Sequence, residues 1–452
     1  MKNIYRALGA LLLLAAGSWF LADALWPRPF EYFAFRSAAI QLTGVLAMAA
    51  MSFAMVLAVR PRWADKLLNG LDKMYRLHKW LGITALVAAV AHWWLAQGTK
   101  WMVGWGWLTR PARGPREPIT DPLRAWFDGQ RHLAEDVGEW AFYAAVAFIA
   151  VALLKRIPYR WFAKTHRWMV VPYLVLVFHA AVLLKWDYWT QPVGWLTAGL
   201  MLAGTVAGAW VLSGRVGRSR TVAGEVADVR YFEPLRATRT TLSLAPGWPG
   251  HAAGQFAFVT SDPREGAHPY TIASAWNAAD RQIRFVTKAL GDHTRALHQT
   301  LRPGLPVQVE GPYGCFTFDD SAARQIWVGG GIGITPFIAR MHQLAQATPA
   351  APAAPGTPRV PVTLFHTTRE EDPQALALLA DDARAAGIDL HVLVDARDGR
   401  LTGDRLRAAV PEWRAASVWF CGPAGFGQAL QRDMVAHGLP QGRWHQELFQ
   451  MR

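Results

Sequence analysis

Six stretches of the chain stay apolar long enough to cross a bilayer, whose hydrocarbon core of about 30 Å takes about 20 residues of helix. They run approximately over residues 4–25, 38–59, 79–97, 138–154, 168–186 and 192–213. After residue 220 the pattern changes. Short alternating runs such as GEVADVRYF, TRTTLSLAP, GQFAFVT, YTIAS, QIRFVTKAL and PVQVEGPYG recur over 221–318 with Gly and Pro between them, which predicts an antiparallel β-barrel. From residue 325 strands alternate with glycine turns and helices: QIWVGGGIGITPFIARMHQLA, then VTLFHT, DLHVLVDA and SVWFCGP. That alternation predicts a Rossmann-like α/β domain whose parallel sheet offers its carboxyl edge to a nucleotide. The chain therefore reads as multi-domain: a six-helix transmembrane bundle over 1–214, a barrel over 221–318 and an α/β domain over 325–452. The Pro/Ala-rich stretch 347–358 reads as a loop without chemistry.

Charge sharpens the division. The 452 residues carry a net charge of +14, and residues 1–220 hold all of the excess, with 25 basic and 11 acidic side chains against 22 and 22 in the remainder. The same half holds 17 of the 23 Trp residues, as interfacial indoles would. Because the basic residues sit between apolar helices, a nucleic-acid partner is disfavoured and membrane lipid is expected. Loop 60–77 (Arg60, Arg62, Lys66, Lys73, Arg76), loop 155–167 (Lys155, Arg156, Arg160, Lys164, Arg167) and the segment after the last span (Arg215, Arg218, Arg220) are the inside loops by the positive-inside rule. Both termini and the whole second half are then cytoplasmic in an inner membrane, and the segment 98–137, with its six spread basic residues, lies outside. Lys2 and Arg6 before ALGALLLLAAG, with Ala22 and Ala24 beyond, also fit a secretory signal. The stretch is longer than a usual signal core and is kept as a helix. Cys315 and Cys421 are the only cysteines, too few for a disulfide framework, a four-cysteine zinc site or a plant-type iron–sulfur module.

Ionisable side chains at membrane depth are costly and are functional candidates by default. His78 and His92 lie fourteen apart on span three, and His166 and His179 thirteen apart on span five. Both spans run inside to outside, so His78 matches His166 in depth and His92 matches His179, about 20 Å apart along the axis. Two stacked bis-imidazole haem sites follow. Rotation fits less well: thirteen residues leave His166 and His179 about 140° apart on an ideal helix, and Pro172 between them is a place to kink or rewind. His132 reads as a loop residue. Arg36, at the outer end of span two, faces either a haem propionate or the headgroups.

In the second half, Gly329, Gly330, Gly331 and Gly333 follow a buried strand and let backbone approach a pyrophosphate. Thr335 and Pro336 begin a helix whose N-terminus favours that anion, with Pro336 where the usual fingerprint has its third glycine. HPYTIAS (268–274), EGPYG (310–314), GGGIGITPF (329–337) and CGPAGF (421–426), in this order behind six spans with two histidine pairs, resemble the ferric reductase and NADPH oxidase superfamily. The resemblance covers nearly the whole chain. It implies that NAD(P)H reduces FAD in the cytosol and that electrons pass singly through two b-type haems to an acceptor on the opposite face. It also implies that His268, Pro269, Tyr270 and Thr271 line the isoalloxazine, with the Thr271 hydroxyl near its reactive edge and Ser274 closing the motif. Lys288, His293 and Thr294 would hold the FAD pyrophosphate. Gly422 and Pro423 would flank the nicotinamide, with Cys421 buried beside the hydride path, and Phe449 would cover the flavin. Arg369, ending HTTR, favours NADPH over NADH, although Glu370 and Glu371 follow at once. Superoxide-forming members would carry a second histidine one turn beyond the outer ligand of span three, where this chain has Ala96. The acceptor is expected to be diffusible, oxygen or a ferric chelate. A membrane-anchored flavin reductase serving a partner protein is the alternative, and a proton-relaying transporter or sensor a third reading.

Overall fold

The structure, a computed structural model, describes residues 2–111, 119–154, 159–346 and 360–447. Two compact units divide at Val216 and Gly217.

The first unit is helical: α1 (Lys2–Phe20), α2 (Tyr32–Ala58), α3 (Arg62–Leu68), α4 (Leu71–Gly104), α5 (Pro122–Gly129), α6 (Arg131–Leu153), α7 (Tyr159–Arg167), α8 (Val170–Leu183) and α9 (Pro192–Leu212). Among the described residues six helical segments are long and apolar enough to cross a membrane: Asn3–Phe20, Tyr32–Ala58, Leu71–Gly104, Arg131–Leu153, Lys164–Leu183 and Pro192–Leu212. Small residues let the helices close on one another, as membrane packing requires. A Cβ on Gly204 of α9 would fall 2.0 Å from the Tyr173 hydroxyl of α8, and one on Gly208 would fall 2.8 Å from Val170. The Tyr173 hydroxyl in turn shares a 3.0 Å hydrogen bond with Ser52 of α2, so one buried phenol joins three helices.

The structure refines the reading of two segments. The basic segment 60–77 is not a single loop. Asn69 in the left-handed region (φ 59°) and Gly70 (φ 127°) turn the chain between α3 and α4, and α4 starts at Leu71, so Lys73 and Arg76 ride on its first turns. The fifth span is also not one regular helix. Between α7 and α8 the amides of Trp168, Met169 and Val171 bond three residues back, to the carbonyls of Thr165, His166 and Trp168, and Pro172 follows as the third residue of α8. Each residue in such a tight turn advances about 120° instead of about 100°, which recovers part of the angle that an ideal helix leaves between His166 and His179.

The second unit begins with a barrel of β1 (Thr221–Phe232), β2 (Ala237–Leu244), β3 (Phe256–Thr260), β4 (His268–Thr271), β5 (Gln282–Lys288) and β6 (Pro306–Tyr313), with α10 (Asp292–Thr300) between the last two. The strand order is β4-β3-β6-β1-β2-β5. An Ile272–Phe285 bridge and the Ala273 amide donating to the Arg284 carbonyl at 2.7 Å bring the edge strands together. Alternate residues such as Val226, Leu242, Ile272, Ile283, Phe285 and Val309 fill the interior. The α/β part contains β7 (Arg324–Gly330), α11 (Thr335–Gln346), β8 (Val362–Thr368), α12 (Pro373–Ala386), β9 (Asp389–Val394), α13 (Asp395–Asp398), α14 (Gly403–Ala409), β10 (Ala416–Cys421), α15 (Ala424–Ala436) and β11 (Trp444–Gln446). Its five strands are parallel in the order β11-β10-β7-β8-β9, with apolar cores packed against the sheet.

Candidate functional site

In the helical unit the four span histidines meet in pairs. His78 and His166 have ring centres 5.8 Å apart at 77°, and His92 and His179 have theirs 6.1 Å apart at 74°. An ion bonded to both imidazoles at about 2 Å would set the ring centres roughly 6 Å apart, so each pair fits one haem iron. The backbone fixes the tautomer of three of the rings. Nδ1 of His78 lies 3.0 Å from the Ala54 carbonyl, Nδ1 of His92 3.0 Å from that of Ile40, and Nδ1 of His179 2.7 Å from that of Ala134. A carbonyl only accepts, so Nδ1 carries the proton and Nε2 keeps its lone pair for a metal. His166 differs: its buried Nδ1 has no hydrogen-bond partner among the described residues, and its ring stacks on Phe162 at 5.1 Å.

Glycines make room for the outer pair. A Cβ on Gly44 would sit 3.3 Å from His92, and one on Gly138 only 2.0 Å from Nδ1 of His179. Neither glycine stands out in the sequence, because only the crossing of α2 with α4 and of α6 with α8 gives it a neighbour. His132 is exposed. Arg36 donates to the carbonyls of Leu95 at 2.9 Å and Ala96 at 3.3 Å, which gives it a helix-joining task.

In the barrel, His268, Pro269, Tyr270 and Thr271 form β4, with Thr271 buried. The His268 ring lies flat on His293, with centres 3.8 Å apart and planes 6° from parallel, and Nε2 of His293 is 3.0 Å from the Tyr270 hydroxyl. Burial, with the His293 imidazole beside it, lowers His268 to about 4. Burial lowers His293 as well, opposed by Glu265 and Asp262, so both rings are neutral at pH 7. Burial pushes the Tyr270 phenol up. Thr294 accepts from the amides of Leu290 and Gly291 at 3.0 Å each and fixes the entry to α10. Ser274 accepts from the Arg284 amide at 3.1 Å, and its carbonyl lies 3.0 Å from Nε2 of His251, a residue the sequence did not single out. Lys288 departs from expectation. Expected with His293 and Thr294, its ammonium lies 2.8 Å from the Glu370 carboxylate.

At the sheet edge, Gly329 and Cys421 are paired neighbours on β7 and β10. A Cβ on Gly333 would fall 2.2 Å from the Cys421 carbonyl, one on Gly330 2.9 Å from Pro423, and one on Gly422 3.1 Å from Gly330. The two loops can touch only as glycines. Gly331 is the exception, with φ 56° and open space where a side chain would be, a cradle at the head of α11. Thr335 and Pro336 are buried at its start. Cys421 is fully buried in the core with Ile334 and Phe337, and burial raises its thiol well above the ordinary range. It meets this edge through its backbone. Beneath the loop, Nδ1 of buried His366 lies 3.2 Å from the Gly329 carbonyl, and burial lowers that imidazole to about 4. Arg369 is 78% exposed and 3.8 Å from Asp395. Phe449 lies outside the described residues.

Comparison with known proteins agrees with this division. The family described as "Ferric reductase like transmembrane component" matches residues 43–177, and an FAD-binding domain family matches residues 242–317. The ferredoxin–NAD(+) reductase component of the alkene monooxygenase system of Xanthobacter autotrophicus is 31% identical over 233 residues, which are 48% of this chain and 67% of that protein. The Flavohemoprotein of Burkholderia sp. (strain TH2) is 26% identical over 199 residues, 42% of this chain and 48% of the relative, so the chain spans about half the length of such relatives. The solved FAD/NAD-binding domain of a nitric oxide dioxygenase from Vibrio cholerae is 22% identical, with 51% of this chain and 98% of that one aligned at a TM-score of 0.40. With six apolar spans, a ferric-reductase-like component over residues 43–177 and an FAD-binding domain after it, the chain has the domain architecture of the ferric reductase and NADPH oxidase superfamily.

Proposed function

We propose that the protein carries electrons from NAD(P)H, by way of FAD and two b-type haems, across the membrane to a diffusible acceptor on the opposite face. The observation that carries this reading is the pair of imidazole couples at 5.8 and 6.1 Å in one chain with a reductase module. FAD supplies the conversion of a two-electron hydride into single electrons, which haem iron carries one at a time. His78 and His166 would hold the inner haem, and His92 and His179 the outer. His268, Tyr270 and Thr271 of β4, with Ser274, His293 and Thr294, would seat the flavin. The glycines 329–331 and 333, with the start of α11 at Thr335 and Pro336, would receive the coenzyme pyrophosphate, and Gly422 and Pro423 would border the nicotinamide. The basic loops favour an inner-membrane topology with the reductase module in the cytoplasm.

Oxygen, giving superoxide, is the favoured acceptor, because an outer haem meets oxygen whatever else it serves. Ala96, where a further imidazole would serve oxygen chemistry, favours a ferric chelate as the second reading. NADPH is preferred over NADH because Arg369 is exposed while Glu370 and Glu371 are both ion-paired. The test is a visible spectrum of the detergent-purified protein, followed by Gly331→Val. Two low-spin haems with FAD are expected. The variant should lose NAD(P)H-driven haem reduction and keep reduction by dithionite. A wild-type preparation that binds FAD but no haem would sink the transmembrane reading and leave a flavin reductase that serves a protein partner.

A further inference from the structure

Two carboxylates follow the last residue of β8, where an acidic side chain selects NADH by hydrogen-bonding the adenosine ribose and an arginine accommodates the 2′-phosphate of NADPH. The local sequence, Thr368-Arg369-Glu370-Glu371, contains both kinds of residue. What each side chain already touches separates them. Glu371 is held by Arg397 at 2.7 Å. The Glu370 backbone is pinned by the Thr368 hydroxyl, which donates to its carbonyl at 2.8 Å, and its carboxylate is held by Lys288 at 2.8 Å. Arg369 is 78% exposed, with one long contact to Asp395.

Lys288 comes from the barrel, 82 residues earlier, and is the only lysine in residues 221–452. Its backbone is set by strand register opposite Ala237 at the end of β5, and its side chain is 22% exposed. Lys288 and Glu370 line one cleft with Gly331 and Ile332 of the glycine loop, so the ion pair borders the place where a dinucleotide would lie. The Lys288 hydrogen bond also holds the Glu370 carboxyl below its usual range, which keeps it ionised and engaged.

We propose that Lys288 sets coenzyme preference from the barrel: by engaging Glu370 it withdraws the carboxylate that would otherwise take the ribose diol, and leaves Arg369 to meet a 2′-phosphate. The inference rests on the NAD(P)H reading above. Lys288 is a positioning residue, since it acts through Glu370.

The experiment uses the full-length protein in detergent and measures equilibrium binding of 2′,5′-ADP and 5′-AMP, then the rates of FAD reduction by NADPH and NADH. Wild type should favour 2′,5′-ADP. In Lys288→Met the preference should fall about tenfold, the worth of one hydrogen bond to a charged group, in binding and in rate alike. Lys288→Arg should keep the wild-type ratio. Lys288→Met combined with Glu370→Gln should return toward it, because no carboxylate is left to free. An unchanged ratio in Lys288→Met, or no recovery in the double variant, overturns the proposal. Loss of flavin from Lys288→Met also overturns it, by placing the lysine's work at FAD. If wild-type protein bound neither nucleotide and neither coenzyme reduced its flavin, the NAD(P)H reading itself would have failed.

Discussion

The two histidine pairs share a plan and differ in how firmly it is held. In the outer pair both imidazoles are anchored: His92 bonds a carbonyl of α2 and His179 one of α6, and each ring fits against a glycine of the same helix. In the inner pair only His78 has such an anchor, on Ala54. His166, in the last turn of α7, has Phe162 beneath its ring and no partner for Nδ1 among the described residues. A carbonyl that accepts from Nδ1–H fixes tautomer and ring direction and raises the basicity of Nε2. The His92–His179 pair is thus held on both sides and the His78–His166 pair on one. The cause lies in the chain path, because His166 stands just before the break between α7 and α8 while the other three sit within helices that continue past them.

The largest test is removal of a ligand. His92→Ala should empty the outer site and leave the inner one, so that haem assayed as the pyridine complex falls from two equivalents to one. Two full equivalents in that variant would break the pairing by depth. Next comes the glycine contact. Gly138→Leu should drive His179 out of line and empty most outer sites, whereas Gly44→Ala, facing 3.3 Å of clearance, should keep the haem and only shift its midpoint potential. Equal haem loss from both would show that generic helix packing, and not imidazole clearance, sets the outcome.

A subtler difference concerns exchange. Transfer of haem to excess apomyoglobin should be about tenfold faster from the inner site than from the outer, the low end of the effect of losing a hydrogen bond to a ligand imidazole. Equal rates would erase the distinction between the pairs. The smallest effect is expected from Phe162→Ala, which should speed inner-site release by about threefold, as for the loss of roughly 0.5–1 kcal/mol of ring contact. Faster release from the outer site in this variant would mean that the two sites are not independent.

Much of this was legible in the sequence because it depends on local order. Apolar length marks a span, alternation marks a strand, and a glycine run between a buried strand and a helix marks a nucleotide edge, whatever the rest of the chain does. The four span histidines could be paired from helix direction and rise alone, and the rings do meet in those pairs. The rotation that brings the rings together is not local. Thirteen residues of ideal helix separate His166 and His179 in rotation, and the tight turn at 165–171 that alters their angle depends on backbone bonds that no periodicity announces.

What the sequence determined by itself was the inventory and its order: six apolar spans, two histidines on each of two of them, a barrel, a glycine-rich sheet edge, and an excess of positive charge confined to one half. Tertiary structure decided which groups those residues meet. Gly138 is one small residue among many until α6 crosses α8 and lays it against His179. His366 is a strand residue until the fold sets it under the Gly329 carbonyl. Lys288 is a strand-end cation in the sequence, and the packing of barrel against α/β domain gives it Glu370 as a partner. Periodicity and charge are properties of neighbours in the chain. A hydrogen bond or an ion pair acts over about 3 Å, and at that range the partner can be tens of residues away in sequence, so only the folded chain selects it.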